Sequence, residues 1–112
     1  MKLNISQTEN YVPSWNKNNK LPENEQIKII YERLSGDHTS SLLRITGDGA
    51  DFDYMTVLKN SIIEIENLEI NNKKIKTGKQ LLECKGLYSL CFETAMHIIS
   101  DSKLSEELGK KN

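Results

Sequence analysis

Apolar and polar positions along this chain change rhythm near its middle, from alternation in the first half to helical spacing in the last third. Between Gln26 and Leu34, Ile27, Ile29 and Tyr31 fall on one side of an extended backbone, with Lys28 and Glu32 on the other. That pattern predicts a strand, and Ile30, which breaks it, predicts cover on both faces. Leu3 and Ile5, set among polar residues, predict a weaker strand at the N-terminus. Ile63 and Ile65 alternate with Glu64 and Glu66, and Leu68 and Ile70 extend this half-buried strand to Asn71-Asn72. Asparagine tolerates positive φ, so that pair predicts a tight hairpin turn into Lys73-Lys74-Ile75.

Helical signals follow. Thr77 and Gln80 have the spacing of a capping box, in which hydroxyl and amide reciprocally satisfy orphan backbone donors; they predict a short helix through Glu83 or Cys84, ended by Gly86. A long helix is predicted over about Leu87–Ser102, with one apolar seam at Leu87, Leu90, Cys91, Ala95 and Ile98 and a second at Tyr88, Phe92, Met96 and Ile99. Ser105 then caps a last turn over Glu106–Lys110. A further helix from about Tyr54 to Asn60 is expected, with Asp51 or Asp53 as N-cap.

The segments between these elements are loop-like. Tyr11–Glu25 contains Pro13, Pro22, Asn16, Asn18, Asn19 and Asn24, with Trp15, the single tryptophan, among them. The 35–53 segment, broken by Gly36, Gly47 and Gly49, reads as a flexible loop with one short strand or turn around Leu42, Leu43 and Ile45. The sum is a single α+β domain over 1–112: an extended arm (1–34), the loop (35–53), then helix, hairpin and C-terminal helices (54–112). A small antiparallel sheet, made of N-terminal strands and a hairpin near 62–76, packs on the long helix.

Composition narrows the function. Fifteen Lys and Arg against sixteen Asp and Glu leave a net charge of -1, so no global field recruits nucleic acid or an anionic membrane. Arg33 and Arg44 are the only guanidinium groups, a poor supply for bidentate reading of phosphate or base edges. Cys84 and Cys91, if on one helix, would stand about 10.5 Å apart along its axis, too far for a disulfide. They read as free thiols packed as small apolar groups, as in a reducing compartment. With no signal-like apolar run at Met1–Ile5 and no stretch approaching a membrane span, a soluble, intracellular protein is expected.

Candidate chemistry is thin. Gly47–Asp53 carries three aspartates, but a calcium loop started at Asp48 puts Ala50 and Phe52 at ligand positions, and one started at Asp51 has Thr56 for Gly and Ile62 for the bidentate Glu. A turn plus helix cap is the simpler reading. Thr77-Gly78-Lys79 lacks the upstream Gly and the following Ser or Thr of a phosphate loop. His38 and His97 are distant in sequence, and His97, with Glu93 and Asp101 four residues to either side, suits a charge-paired surface or interface histidine better than a metal ligand. Lys73, Lys74, Lys76 and Lys79 gather at the hairpin without interleaved aromatics and near Glu64, Glu66 and Glu69, so base stacking has no support. No catalytic residue, cofactor or metal is expected.

The doubly apolar helix has two readings of equal weight. Either both seams are used internally, between the sheet and the N-terminal arm, or one seam is exposed for self-association or a partner groove; the loop aromatics tilt the balance to the second. Leu90, Phe92, Met96 and Ile99, with Tyr11 and Trp15 from the polar loop, are the candidate partner-contacting residues. The runs Ile63–Asn71, Ile75–Glu83, Gly86-Leu87-Tyr88 and Ser102–Glu107 to Lys111-Asn112, with Tyr11–Asn16 and Leu21–Ile27, resemble small tail proteins of tailed bacteriophages and prophages, the tail assembly chaperones and minor tail components. Together they cover roughly two-thirds of the chain; the polar, glycine-rich stretch between Leu34 and Tyr54 departs from the charged helical stretch of that pattern. The resemblance implies a non-enzymatic protein that binds other tail or virion proteins or copies of itself, in the bacterial host cytoplasm during assembly or in the particle. Two alternatives stand beside it: a head, neck or connector component, and a small regulatory binding module touching nucleic acid through the lysine hairpin.

Overall fold

The computed structural model describes residues 1–36, 43–46 and 49–111, with side chains over 1–36 and 53–101. Its centre is a three-stranded antiparallel sheet of β1 (Thr8–Tyr11), β2 (Lys28–Glu32) and β5 (Ile62–Glu66), in the order β1-β2-β5. The alternation read at Ile27, Ile29 and Tyr31 holds: all three are buried, with Lys28 half-buried and Glu32 exposed between and after them. The first strand lies further along than Leu3 and Ile5, which are both exposed. Pairing with β2 requires the segment that brings Tyr11 opposite Ile29 and Glu9 opposite Tyr31, so the register of a distant partner overrides the weak local alternation.

In β5 the expected phase is also shifted. Ile30 pairs with Glu64 but Tyr31 pairs with Ile62, so Ile63 is an extra residue without a partner. This β-bulge breaks the two-residue period, placing Ile62 and Ile65 in the core while Ile63 faces out. The Asn71-Asn72 turn is as read, with φ of 52° and 66°, and joins β6 (Glu69–Ile70) to β7 (Lys73–Lys74). Positive φ at both central residues is what a two-residue hairpin of the right twist demands.

Where the 35–53 segment predicts one short strand or turn, two strands are found, β3 (Leu43–Thr46) and β4 (Gly49–Phe52), paired as a separate two-stranded antiparallel sheet. Next comes α1 (Tyr54–Ser61), with Asp53, not Asp51, as its cap. The Asp53 carboxylate accepts from the Thr56 N–H at 3.3 Å and the Thr56 hydroxyl at 2.8 Å. The Tyr11–Glu25 loop is held by 3-10 turns over Trp15–Lys20 and Glu23–Glu25 and by a buried asparagine. Asn18 accepts from the Ile27 N–H at 2.6 Å and donates to the Pro13 and Ile27 carbonyls at 2.8 and 3.1 Å.

The capping box forms as read: Thr77 Oγ1 accepts from the Gln80 N–H, and the Gln80 side chain accepts from the Thr77 N–H, opening α2 (Gly78–Glu83). Gly78 has a second purpose, since a Cβ there would lie 2.1 Å from the Leu58 carbonyl oxygen of α1. The last helix, α3 (Tyr88–Lys111), is longer than expected and runs unbroken through Ser105. Ser is tolerated inside a helix, and Glu and Lys on either side favour continuation over a new cap. Leu87, Leu90, Cys91, Ala95 and Ile98 face the body of the protein and join Ile29, Tyr31, Val57, Leu58, Ile62, Ile65 and Leu81 in one core. Each fully buried Leu or Ile contributes about 1.5–3 kcal/mol.

Candidate functional site

Two surfaces of α3 matter, one polar and turned towards the sheet, one aromatic and turned outwards. On the polar side Glu93, His97 and Asp101 recur at four-residue spacing, so they stack along one helix face. The Glu93 carboxylate accepts from the Tyr11 hydroxyl at 2.5 Å, the Ser14 N–H at 2.8 Å and the Ser14 hydroxyl at 3.3 Å. The His97 ring stacks on Tyr11 with centroids 3.8 Å apart and meets Tyr31 edge-on. Asp101 accepts from the Tyr31 hydroxyl at 2.5 Å and from two guanidinium nitrogens of Arg33 at 3.0 and 3.4 Å. Arg33 also donates to the Ser6 carbonyl and pairs with Glu9 at 3.2 Å.

These bonds set the local acidities. Burial first, then hydrogen bonding to Asp101, raises the Tyr31 hydroxyl well above its ordinary value, and burial with Glu93 does the same for Tyr11. Asp101 is pushed up by burial, but the bonds from Arg33 and Tyr31 outweigh this and hold it below the usual carboxylate range. The ladder is therefore a strut between helix and sheet. The sequence signal for it was present: a tyrosine on the inner face of a strand needs a polar partner at the core rim. His97, expected at the surface or at an interface, is half-buried against Tyr11.

On the outer side, Tyr88, Phe92 and Met96 occupy successive turns of α3 and are 64, 47 and 43 % exposed. Tyr88 and Phe92 stack at 6.2 Å, and Tyr54 of α1 meets both edge-on at 5.9 and 6.4 Å. Met55, also exposed, follows Tyr54 on α1. Ring packing orders the cluster without hiding it.

The six candidate contact residues therefore separate. Phe92 and Met96 are exposed, whereas Leu90 and Ile99 lie in the core at 0 and 9 %. Leu90 belongs to the inner seam, and Ile99, one turn beyond Ala95, is carried onto the same inner flank. Tyr11 is engaged with Glu93 and His97, and Trp15 packs against the core, so neither is an unpartnered loop aromatic. Tyr54, Tyr88 and Met55 were not among the six, because helical spacing alone does not show which flank of α3 meets α1.

The remaining candidates are quickly placed. Lys74 and Lys76 share an open groove of about 520 Å³ with Glu25, Glu64, Glu66 and Glu69, so the hairpin presents mixed charge. Cys91 is buried, which raises its thiol pKa, and Cys84 is half-buried with its thiol on the Gln80 carbonyl at 3.3 Å; both are free thiols. The helix-box glycine of Thr77-Gly78-Lys79 serves helix packing, as above. His38 and the Gly47–Phe52 part of the acidic loop lie outside the residues whose side chains are described. Among the described residues, no three His, Cys, Asp or Glu side chains gather closely enough for a metal ion, and no helix is long and apolar enough to cross a membrane. No protein-family model matches this chain, and neither a curated protein nor a solved structure matches it.

Proposed function

We propose that this protein is a non-catalytic assembly protein that binds another polypeptide through the outer face of α3. The observation that carries this reading is the stripe of Tyr88, Phe92 and Met96, with Tyr54 and Met55 beside it, left exposed by a domain that buries its other helix seam fully. Rigid aromatic side chains lose little entropy on contact, and thioethers adapt to irregular surfaces, so such a stripe suits recognition of an apolar partner. The resemblance to phage tail proteins gives the partner its specific form: another tail or virion component, or further copies of this chain during tail assembly. The ordered hydrogen-bond ladder on the opposite flank supports the same division of labour, since it holds the helix rigid while its outer face stays open.

The test uses the whole chain and a triple variant, Tyr88→Ser, Phe92→Ser and Met96→Ser. Sedimentation velocity over a range of concentrations reads self-association, and co-expression with the products of the genes on either side of its own reads capture. The expected result is association in the parent and at least a tenfold weaker association in the variant, with unchanged circular dichroism. A parent that stays monomeric and captures none of those proteins overturns the reading, as does association that the triple variant leaves intact.

A further inference from the structure

The ladder on α3 contains one imidazole, His97, which burial holds below its ordinary value of 6.5 and which gains a positive charge as pH falls. Tyr31 has a single hydroxyl proton, and it goes to Asp101 Oδ2 at 2.5 Å. His97 Nε2, 3.3 Å from the same hydroxyl oxygen, meets only its lone pairs and so carries a proton itself. Neutral His97 is therefore the Nε2–H tautomer, with Nδ1 as a bare acceptor. Protonation adds an Nδ1–H and a positive charge to a ring that lies flat on Tyr11.

Two carboxylates on its own helix face that charge, one turn to either side, and their attachments differ. Asp101 is held by the guanidinium of Arg33 as well as by Tyr31. Among the described residues, Glu93 is held only by neutral donors, the Tyr11 and Ser14 hydroxyls and the Ser14 N–H. From the elements packed against the helix, β1 brings Tyr11 and Glu9, the latter paired with Arg33, and β2 brings Tyr31; Arg33 follows it. A new cation thus competes for Glu93 with weaker, uncharged partners, whereas for Asp101 it competes with another cation.

We propose that protonation of His97 draws Glu93 away from Tyr11 and Ser14, so that the ladder is an acid-released latch for the Tyr11–Ser14 segment on α3. This is independent of the binding function proposed for the outer face. Burial holds His97 below its ordinary value of 6.5, against the opposing pull of Asp101 and Glu93, so the latch is closed at neutral pH. A base whose affinity for protons is depressed in the closed form stabilises that form fully above 6.5, and the stabilisation is lost as pH falls through and below 6.5.

The Ser14 amide reports the latch directly, because its N–H is bonded to Glu93. Its hydrogen-exchange protection factor, corrected for intrinsic rates, is measured from pH 8 to 4.5 alongside the His97 ring resonances. The expected result is a fall in Ser14 protection that tracks His97 titration, about tenfold for each unit by which closing depresses the imidazole. In Glu93→Gln the side-chain amide still accepts from Ser14 but is not drawn to the imidazolium, so the fall in Ser14 protection that tracks His97 titration is smaller than in the parent, leaving only the part due to relief of burial. His97→Gln removes the transition altogether. Titration of His97 in the parent without loss of Ser14 protection overturns the latch, as does an equal or larger fall in Glu93→Gln or the same transition persisting in His97→Gln.

Discussion

At the residue scale, a few positions owe their identity to a single neighbour. Gly78 is one: the added methyl of alanine would collide with the Leu58 carbonyl, a backbone atom that cannot swing aside. Gly78→Ala therefore separates α1 from α2, and the expected cost is about 1–3 kcal/mol, typical of forced overpacking. Chemical denaturation of the variant measures it, and an unchanged midpoint would show that the helices slide freely. In the sequence this glycine sits beside Lys79 and suggests only a helix start; its real constraint comes from Leu58, twenty positions away and invisible to any local pattern. Asn18 is similar, since its three bonds to Pro13 and Ile27 exist only once the loop has closed.

At the scale of elements, the best-read features are those whose physics is contained within a few residues. The Asn71-Asn72 turn, the Asp53 cap and the Thr77–Gln80 box each satisfy their own backbone groups locally. Replacing Thr77 by Ala removes one side of the box, and a loss of about 1 kcal/mol is expected by thermal or denaturant unfolding. No loss at all would mean that packing under Leu81, and not the cap, secures α2. The elements read less well are those set by pairing. β1 begins at Thr8 because β2 selects its register, and β5 carries Ile63 outwards because a bulge opposite Ile30 and Tyr31 resets the alternation. The end of α3 differs again: Ser105 has the character of a cap, yet helix propagation through it is favoured once the helix is already nucleated.

At the scale of the whole molecule, the strut between sheet and helix links stability to acid. Asp101 is held below the ordinary carboxylate range, so the folded state gains from its ionisation above about pH 4 and loses that gain as pH falls through its lowered value. Asp101→Asn is accordingly expected to be less stable at neutral pH and to show a flatter dependence of stability on pH below about 4. Urea unfolding at pH 7 and pH 3 checks both parts, and an equal acid slope in parent and variant would assign acid sensitivity to other carboxylates. The same strut explains why α3 can leave one flank open, since its attachment rests on the inner seam and on the Glu93, His97 and Asp101 face together.

From its residues alone, this chain determined an α+β domain, the strand at Ile27–Tyr31, the caps and the hairpin turn, because periodicity and capping act over one or two turns of backbone. It also determined that α3 has more apolar surface than one contact stripe needs. Only the tertiary structure decided which flank is covered. Leu90 and Ile99 went to the core, while Phe92 and Met96 stayed outside and Tyr54 and Tyr88 joined them. That choice depends on the rotation of α3 about its axis, which is set by the sheet through Tyr11, Tyr31 and Arg33 gripping Glu93, His97 and Asp101. Contacts between residues some seventy to eighty positions apart leave no periodic trace in the sequence, yet together with the inner seam they turn a two-seamed helix into one with a buried side and an open one.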